Sequence, residues 1–109
     1  MAGNESNRGP VQVGKLQIDL AQRRAHYDGK QIPLTGTELS LLEMLARSAG
    51  QPVPKTEIYP RILGRPMGRY DRAIDVHISA IRHKLAQEGV EGIAIESVRG
   101  VGYQLVRLD

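Results

Sequence analysis

A chain of 109 residues with 40% hydrophobic and 25% charged residues has the makeup of one globular domain with a single modest core. It contains no cysteine, which excludes disulfides and thiolate metal sites and suits a cytoplasmic protein, and no apolar run near the ~20 residues of a membrane span. Without Phe or Trp and with four Tyr, it lacks an aromatic platform for single-stranded nucleic acid; its net charge of +3 is concentrated in residues 61–85, where Arg61, Arg65, Arg69, Arg72, Arg82 and Lys84 face only Asp71 and Asp75.

Met1–Pro10 is polar and rich in Gly, Asn and Ser, and reads as a flexible linker or tail ahead of a domain over residues 11–109. From Val11 to Leu34 the apolar residues alternate at the strand period: Val11 and Val13, then Leu16, Ile18 and Leu20. Asp28-Gly29 between Ala25–Tyr27 and Lys30–Leu34 predicts a tight hairpin, since this dipeptide accepts positive φ. A small antiparallel sheet is expected here.

At Thr35 the period becomes helical. Thr35 and Glu38 have the spacing of a capping box, and Leu39, Leu42, Leu45, Ala46 and Ala49 recur at three and four, with Leu41 and Met44 widening the stripe and Gly50 as a C-cap. Gln51–Pro54 is expected to connect to a shorter helix over Lys55–Leu63, in which Pro60 demands a first-turn position or a bend. Gly64–Tyr70 (GRPMGRY) contains two Gly and one Pro and predicts a loop.

A third helix is expected over Arg72–Leu85 with Asp71 as its N-cap. Ile74, Ile78, Ile81 and Leu85 fall within roughly 60° of arc and form its buried stripe. Ile93, Ile95 and Val98, then Tyr103, Leu105 and Val106, predict a terminal hairpin over Ile93–Leu108 around Gly100-Val101-Gly102.

Opposite the stripe lie Arg72, Val76, Ser79, Ala80 and His83, with His77, Arg82 and Lys84 on the flanks. A face with basic ends, small side chains and an outward Val suits close approach to duplex DNA: Val for a thymine methyl, Arg for guanine, the flanking groups for phosphates. Arg99, between Val98 and Gly100 at the hairpin tip, has the setting of a minor-groove arginine. No catalytic residues are expected. Asp75, Ser79 and His83 stand four apart, but a convex helix face offers no oxyanion hole. His77 and His83 are on different helix faces and His26 is on a strand, so no metal site is expected either. Gly100-x-Gly102 lacks the third Gly and the strand–helix context of a dinucleotide site, and no cofactor is expected. The rival reading is a protein-contact module without DNA affinity.

LTGTELSLLEML (Leu34–Leu45), DRAIDVHISAIRHKL (Asp71–Leu85) and SVRGVGY (Ser97–Tyr103) resemble the effector domain of OmpR/PhoB-type response regulators, over about Val11–Leu108. Within that family, LGRPMGRYDRAIDVHIS (Leu63–Ser79) is most similar to the Cpx-type envelope-stress regulators. The resemblance implies an α+β winged helix-turn-helix: a four-stranded antiparallel sheet, three helices and a hairpin wing. It implies sequence-specific promoter binding in a two-component system. The implied DNA-binding residues are Arg69, Arg72, Val76, His77, Ser79, Ala80, Arg82, His83, Ser97 and Arg99, although Ala80 cannot hydrogen-bond a base. The loop residues Arg65, Met67 and Arg69 match a loop that contacts RNA polymerase. A receiver domain ahead of this one, and a monomer that pairs in tandem on direct repeats, are likewise implied.

Overall fold

The computed structural model describes residues 9–109. Most of the expected tail, Met1–Pro10, lies outside them. Strands β1 (Val11–Val13), β2 (Leu16–Asp19), β3 (Arg24–Tyr27) and β4 (Lys30–Gln31) form an antiparallel sheet in chain order. The β3–β4 register pairs Tyr27 with Lys30 across Asp28-Gly29, and both turn residues have positive φ, 53° and 82°. This is the two-residue hairpin that Asp-Gly favours. β4 is shorter than the expected Lys30–Leu34 run. Only the Ile32 amide, donating to the Ala25 carbonyl at 2.8 Å, continues the pairing.

Helix α1 (Gly36–Arg47) starts on the expected capping box. Thr35 Oγ1 accepts from the Glu38 amide at 3.2 Å, and Glu38 Oε1 accepts from the Thr35 amide at 2.9 Å. The helix stops at a Ser48 C-cap rather than at Gly50, and Ala49 is exposed beyond it. Gly50 instead takes φ +85° and donates its amide to the Leu105 carbonyl at 2.7 Å, tying the helix exit to the terminal hairpin.

Gln51–Pro54 is not a plain connection. Val53–Pro54 forms strand β5, which pairs with the last strand. The expected Lys55–Leu63 helix has two parts: one α turn, α2 (Lys55–Ile58), followed by a π-helical turn over Tyr59–Leu63. Pro60 stands at the start of the π turn, so its missing N–H and bulky ring fall where the hydrogen-bond register changes.

Helix α3 (Ala73–Gln87) runs two residues past its expected end. Ile74, Ile78 and Ile81 are fully buried and Leu85 nearly so. Each such burial contributes about 1.5–3 kcal/mol, which fixes the rotation of the helix on the core. Strands β6 (Ile93–Val98) and β7 (Gly102–Arg107) form the hairpin, in the sheet order β5-β7-β6. The two sheets flank the helices around one core that draws on β1–β3, all three helices and both hairpin strands.

Candidate nucleic-acid interface

The start of α3 is fixed by Tyr59 and Asp71. The buried Tyr59 hydroxyl donates to the Asp71 carbonyl at 3.1 Å and accepts from the Ile74 amide at 3.4 Å. Asp71 is not the N-cap. Arg72 occupies that position without a side-chain cap bond, and Asp71, one residue earlier, accepts from the Ala73 amide at 3.1 Å through Oδ1. Its Oδ2 accepts from the Gly68 amide at 3.0 Å and pairs with Arg65 at 2.5 Å. Arg65 and these two amides hold the Asp71 carboxyl well below the usual carboxylate range. The Gly64–Tyr70 loop is thereby folded back onto the helix start. Its end, Tyr70, takes φ +58° and is 89% exposed, with Arg69 over its ring.

The hairpin tip is anchored just as closely. The Val101 amide donates to the Val98 carbonyl at 2.9 Å, Gly100 takes φ +76°, and the Lys55 amide donates to the Val101 carbonyl at 2.9 Å. Arg99 projects exposed from this turn.

Between helix and hairpin lies a cleft of about 800 Å³, lined by Arg72, Ser79, Arg82, Ser97 and Arg99 among others. Asp75 sits at its floor. Its Oδ1 accepts from the Tyr103 hydroxyl in a short hydrogen bond and from Lys55 Nζ at 3.0 Å, while Oδ2 pairs with Arg72 Nε at 3.2 Å. Burial alone would raise the Asp75 carboxyl, but Tyr103, Lys55 and Arg72 outweigh it and hold the group below its ordinary value. Burial and the neighbouring carboxylate push the Tyr103 phenol up to about 12. Lys55 and Arg82 both stand over the Tyr103 ring, at 5.6 and 5.7 Å from its centroid.

The geometry of a helix and a hairpin opening on one basic cleft has counterparts among known proteins. The family model described as "Transcriptional regulatory protein, C terminal" matches residues 29–105. The chain belongs to this family. It is the OmpR/PhoB-type family, and the similar solved structures include DrrB, a Thermotoga maritima OmpR/PhoB homolog, at 26% identity and a TM-score of 0.76. The chain is 36% identical over 104 residues to the transcriptional regulatory protein CpxR of Escherichia coli, covering 94% of this chain and 45% of that protein. It is also 36% identical over 108 residues to the probable transcriptional regulator ycf27 of Porphyridium aerugineum, covering 97% of this chain and 45% of that one. The chain thus spans less than half the length of these relatives. Among solved structures it is similar to the DNA-binding domain of E. coli CpxR, with a TM-score of 0.80, 34% identity, and coverage of 92% of this chain and 98% of that one. It is also similar to the Klebsiella pneumoniae RstA DNA-binding domain in complex with RstA box, with a TM-score of 0.78, 30% identity, and coverage of 89% and 96%.

In this member of the family, Arg72, Val76, Ser79 and His83 lie exposed along the outer face of α3, with Val76 63% exposed. His77 and Ala80 are half-buried at its edges. Arg82 is engaged with the wing: its Nε and Nη2 donate to the Ile95 carbonyl at 3.1 and 2.8 Å, and Nη2 reaches Ser97 Oγ at 3.2 Å. Arg82 and Ser97 therefore join the helix to the wing as well as lining the cleft. Lys84 does not stand free on the flank for a phosphate. Its Nζ pairs with Glu38 Oε1 at 2.6 Å, drawn there by a carboxylate that is itself buried. Arg65 is committed to Asp71, while Met67 and Arg69 are exposed on the loop. Lys55, Tyr59, Tyr70 and Tyr103 were not among the expected site residues. Tyr103 carried a signal, since it is a hydrogen-bonding aromatic directly after the Gly100-Val101-Gly102 wing turn. Among the described residues no group of three or more His, Asp or Glu side chains could hold a metal ion, and no helix is long and apolar enough to cross a membrane.

Proposed function

We propose that this chain is the promoter-binding effector module of a two-component response regulator, reading duplex DNA with α3 in the major groove and the Arg99 tip in the adjacent minor groove. The observation that carries this reading is that Arg72 and Ser79 of the exposed α3 face line the same cleft as Arg99, with Val76 and His83 exposed on the same helix beside it. A major groove about 12 Å wide admits one helix, and a tip arginine favours the narrow, negative minor groove beside it. The relatives named as transcriptional regulators, and the RstA domain bound to its box, support the same reading. Val76, Ser79 and His83 supply the base-facing set, with Arg72 at the helix start beside it, placed for a phosphate. His77, Ala80, Arg82, Ser97 and Arg69 border it. Arg65, Met67 and Arg69 form the loop surface offered to RNA polymerase. A receiver domain of the same protein regulates the module in the cytoplasm, and two copies pair in tandem on direct repeats. The module is not an enzyme.

Duplex binding across a salt series tests the reading, together with selection from random duplexes. Affinity should fall with a log–log slope of about −0.9 per phosphate neutralised. The selection should return a direct repeat. Arg99→Ala should weaken binding and reduce preference for A·T flanks. No duplex affinity at low salt would favour the protein-contact alternative.

A further inference from the structure

The acidic group nearest the exposed α3 face is Asp75, one turn from Arg72 and Ser79. An anion at the floor of a cleft that must receive a polyanion is a cost to binding unless it has a task. Its contacts indicate two. Through the Tyr103 hydroxyl it joins α3 to β7, and through Lys55 and Arg72 it neutralises two cations that line the cleft. Arg72 is 79% exposed, so it can leave the carboxylate for a phosphate without crossing buried space. Lys55 and Asp75 are more enclosed.

We infer that Asp75 is a positioning and specificity residue: an internal counter-ion that occupies Arg72 and Lys55 in the free domain, so that only a phosphate placed in register by the base-facing residues displaces it. This inference rests on the DNA-binding reading above. Its physical basis is competition. Two cations beside one carboxylate present about half the free charge to a random phosphate, and each cation released to DNA adds about 0.9 to the salt slope. Non-specific binding is almost wholly this electrostatic part, whereas specific binding also has base contacts. A resident anion therefore suppresses the former more than the latter.

The test is Asp75→Asn, which keeps an oxygen to accept from Tyr103 and removes the charge. Binding to a random duplex should strengthen several-fold near ~50 mM salt, and its slope should steepen by about 0.9–1.8, for one or two extra phosphates. The ratio of specific to random affinity should fall. Asp75→Glu, retaining the charge, should restore the slope of the unaltered domain. Should the amide prevent folding, Asp75→Ser makes the same prediction for the slope. A purely structural role would lower stability and leave the slope unchanged. An unaltered slope in a folded, charge-neutral variant, with the unaltered domain still binding duplex, overturns this inference alone. Failure of the unaltered domain to bind any duplex overturns the DNA-binding reading and this inference with it.

Discussion

Gly102 begins β7 where that strand meets β5, and a Cβ there would lie 2.1 Å from the Val53 carbonyl oxygen and 2.9 Å from the Lys55 nitrogen. Both are backbone atoms, so neither can swing away as a side chain would. The requirement for glycine is one of space and not of φ, unlike Gly100 in the turn, whose φ is +76°. Gly102→Ala should cost about 1–3 kcal/mol, as overpacking does, and should part β5 from β7. Urea denaturation reads the first effect. Hydrogen exchange at the Lys55 amide, which donates to Val101, reads the second. Unchanged stability with full protection of that amide would count against the close approach. Since the same contact holds the wing turn against the start of α2, whose Lys55 also lines the cleft, this one glycine links a methyl-sized gap to the shape of the cleft.

On the scale of elements, α3 carries opposite demands on its two sides. Ile74, Ile78, Ile81 and Leu85 recur at four, three and four, and only one helical phase buries all of them. That phase was legible in the sequence, and Val76 turned outward follows from it. Ile78→Ala should lose about 2–5 kcal/mol of stability, as buried truncations do. Val76→Asp should change stability by less than about 0.5 kcal/mol while lowering specific duplex affinity about ten-fold or more, because it sets an anion where a base edge would sit. Urea curves and binding isotherms on the two variants give a crossed result, and a destabilised Val76→Asp would contradict the helix phase. The sheet of β1–β4, α1 and the wing were legible for the same reason: long periodic runs, a capping box and Asp-Gly. β5 was not, because two residues have no period and their partners lie far along the chain. The π turn was foreshadowed only as an awkward Pro60. Phase also placed Arg82 and Lys84 on the flanks of α3, but phase cannot choose partners. The Ile95 carbonyl and Glu38 claim these cations only once the chain has folded.

Across the whole molecule, carboxylates serve as the ties between elements. Glu38 joins α1 to α3 through Lys84, Asp75 joins α3 to α2 and β7, and Asp71 joins the Gly64–Tyr70 loop to the start of α3. Burial opposes ionisation of Glu38, yet Lys84 and Thr35 prevail and lower its pKa; Asp75 and Asp71 are lowered as well. A lowered folded pKa means that the unfolded chain binds more protons in the acid range, so stability rises with pH there. The stabilisation is complete above the unfolded carboxylate values of about 4 and is lost as pH falls through the lower folded values. The domain should therefore show an acid-side loss of stability from these three groups, and α3 should loosen from α1, the loop and the wing together. Glu38→Gln isolates one tie, since Gln can still complete the capping box while the charge opposite Lys84 is gone. It should cost about 1–3 kcal/mol at pH 7, as loss of a charged hydrogen bond does, and the gap from the unaltered domain should narrow as pH falls toward 3. Urea midpoints at several pH values measure this directly. A gap that stays constant with pH would show that Glu38 acts through packing alone, and the Glu38–Lys84 pair would then have no part in the acid response.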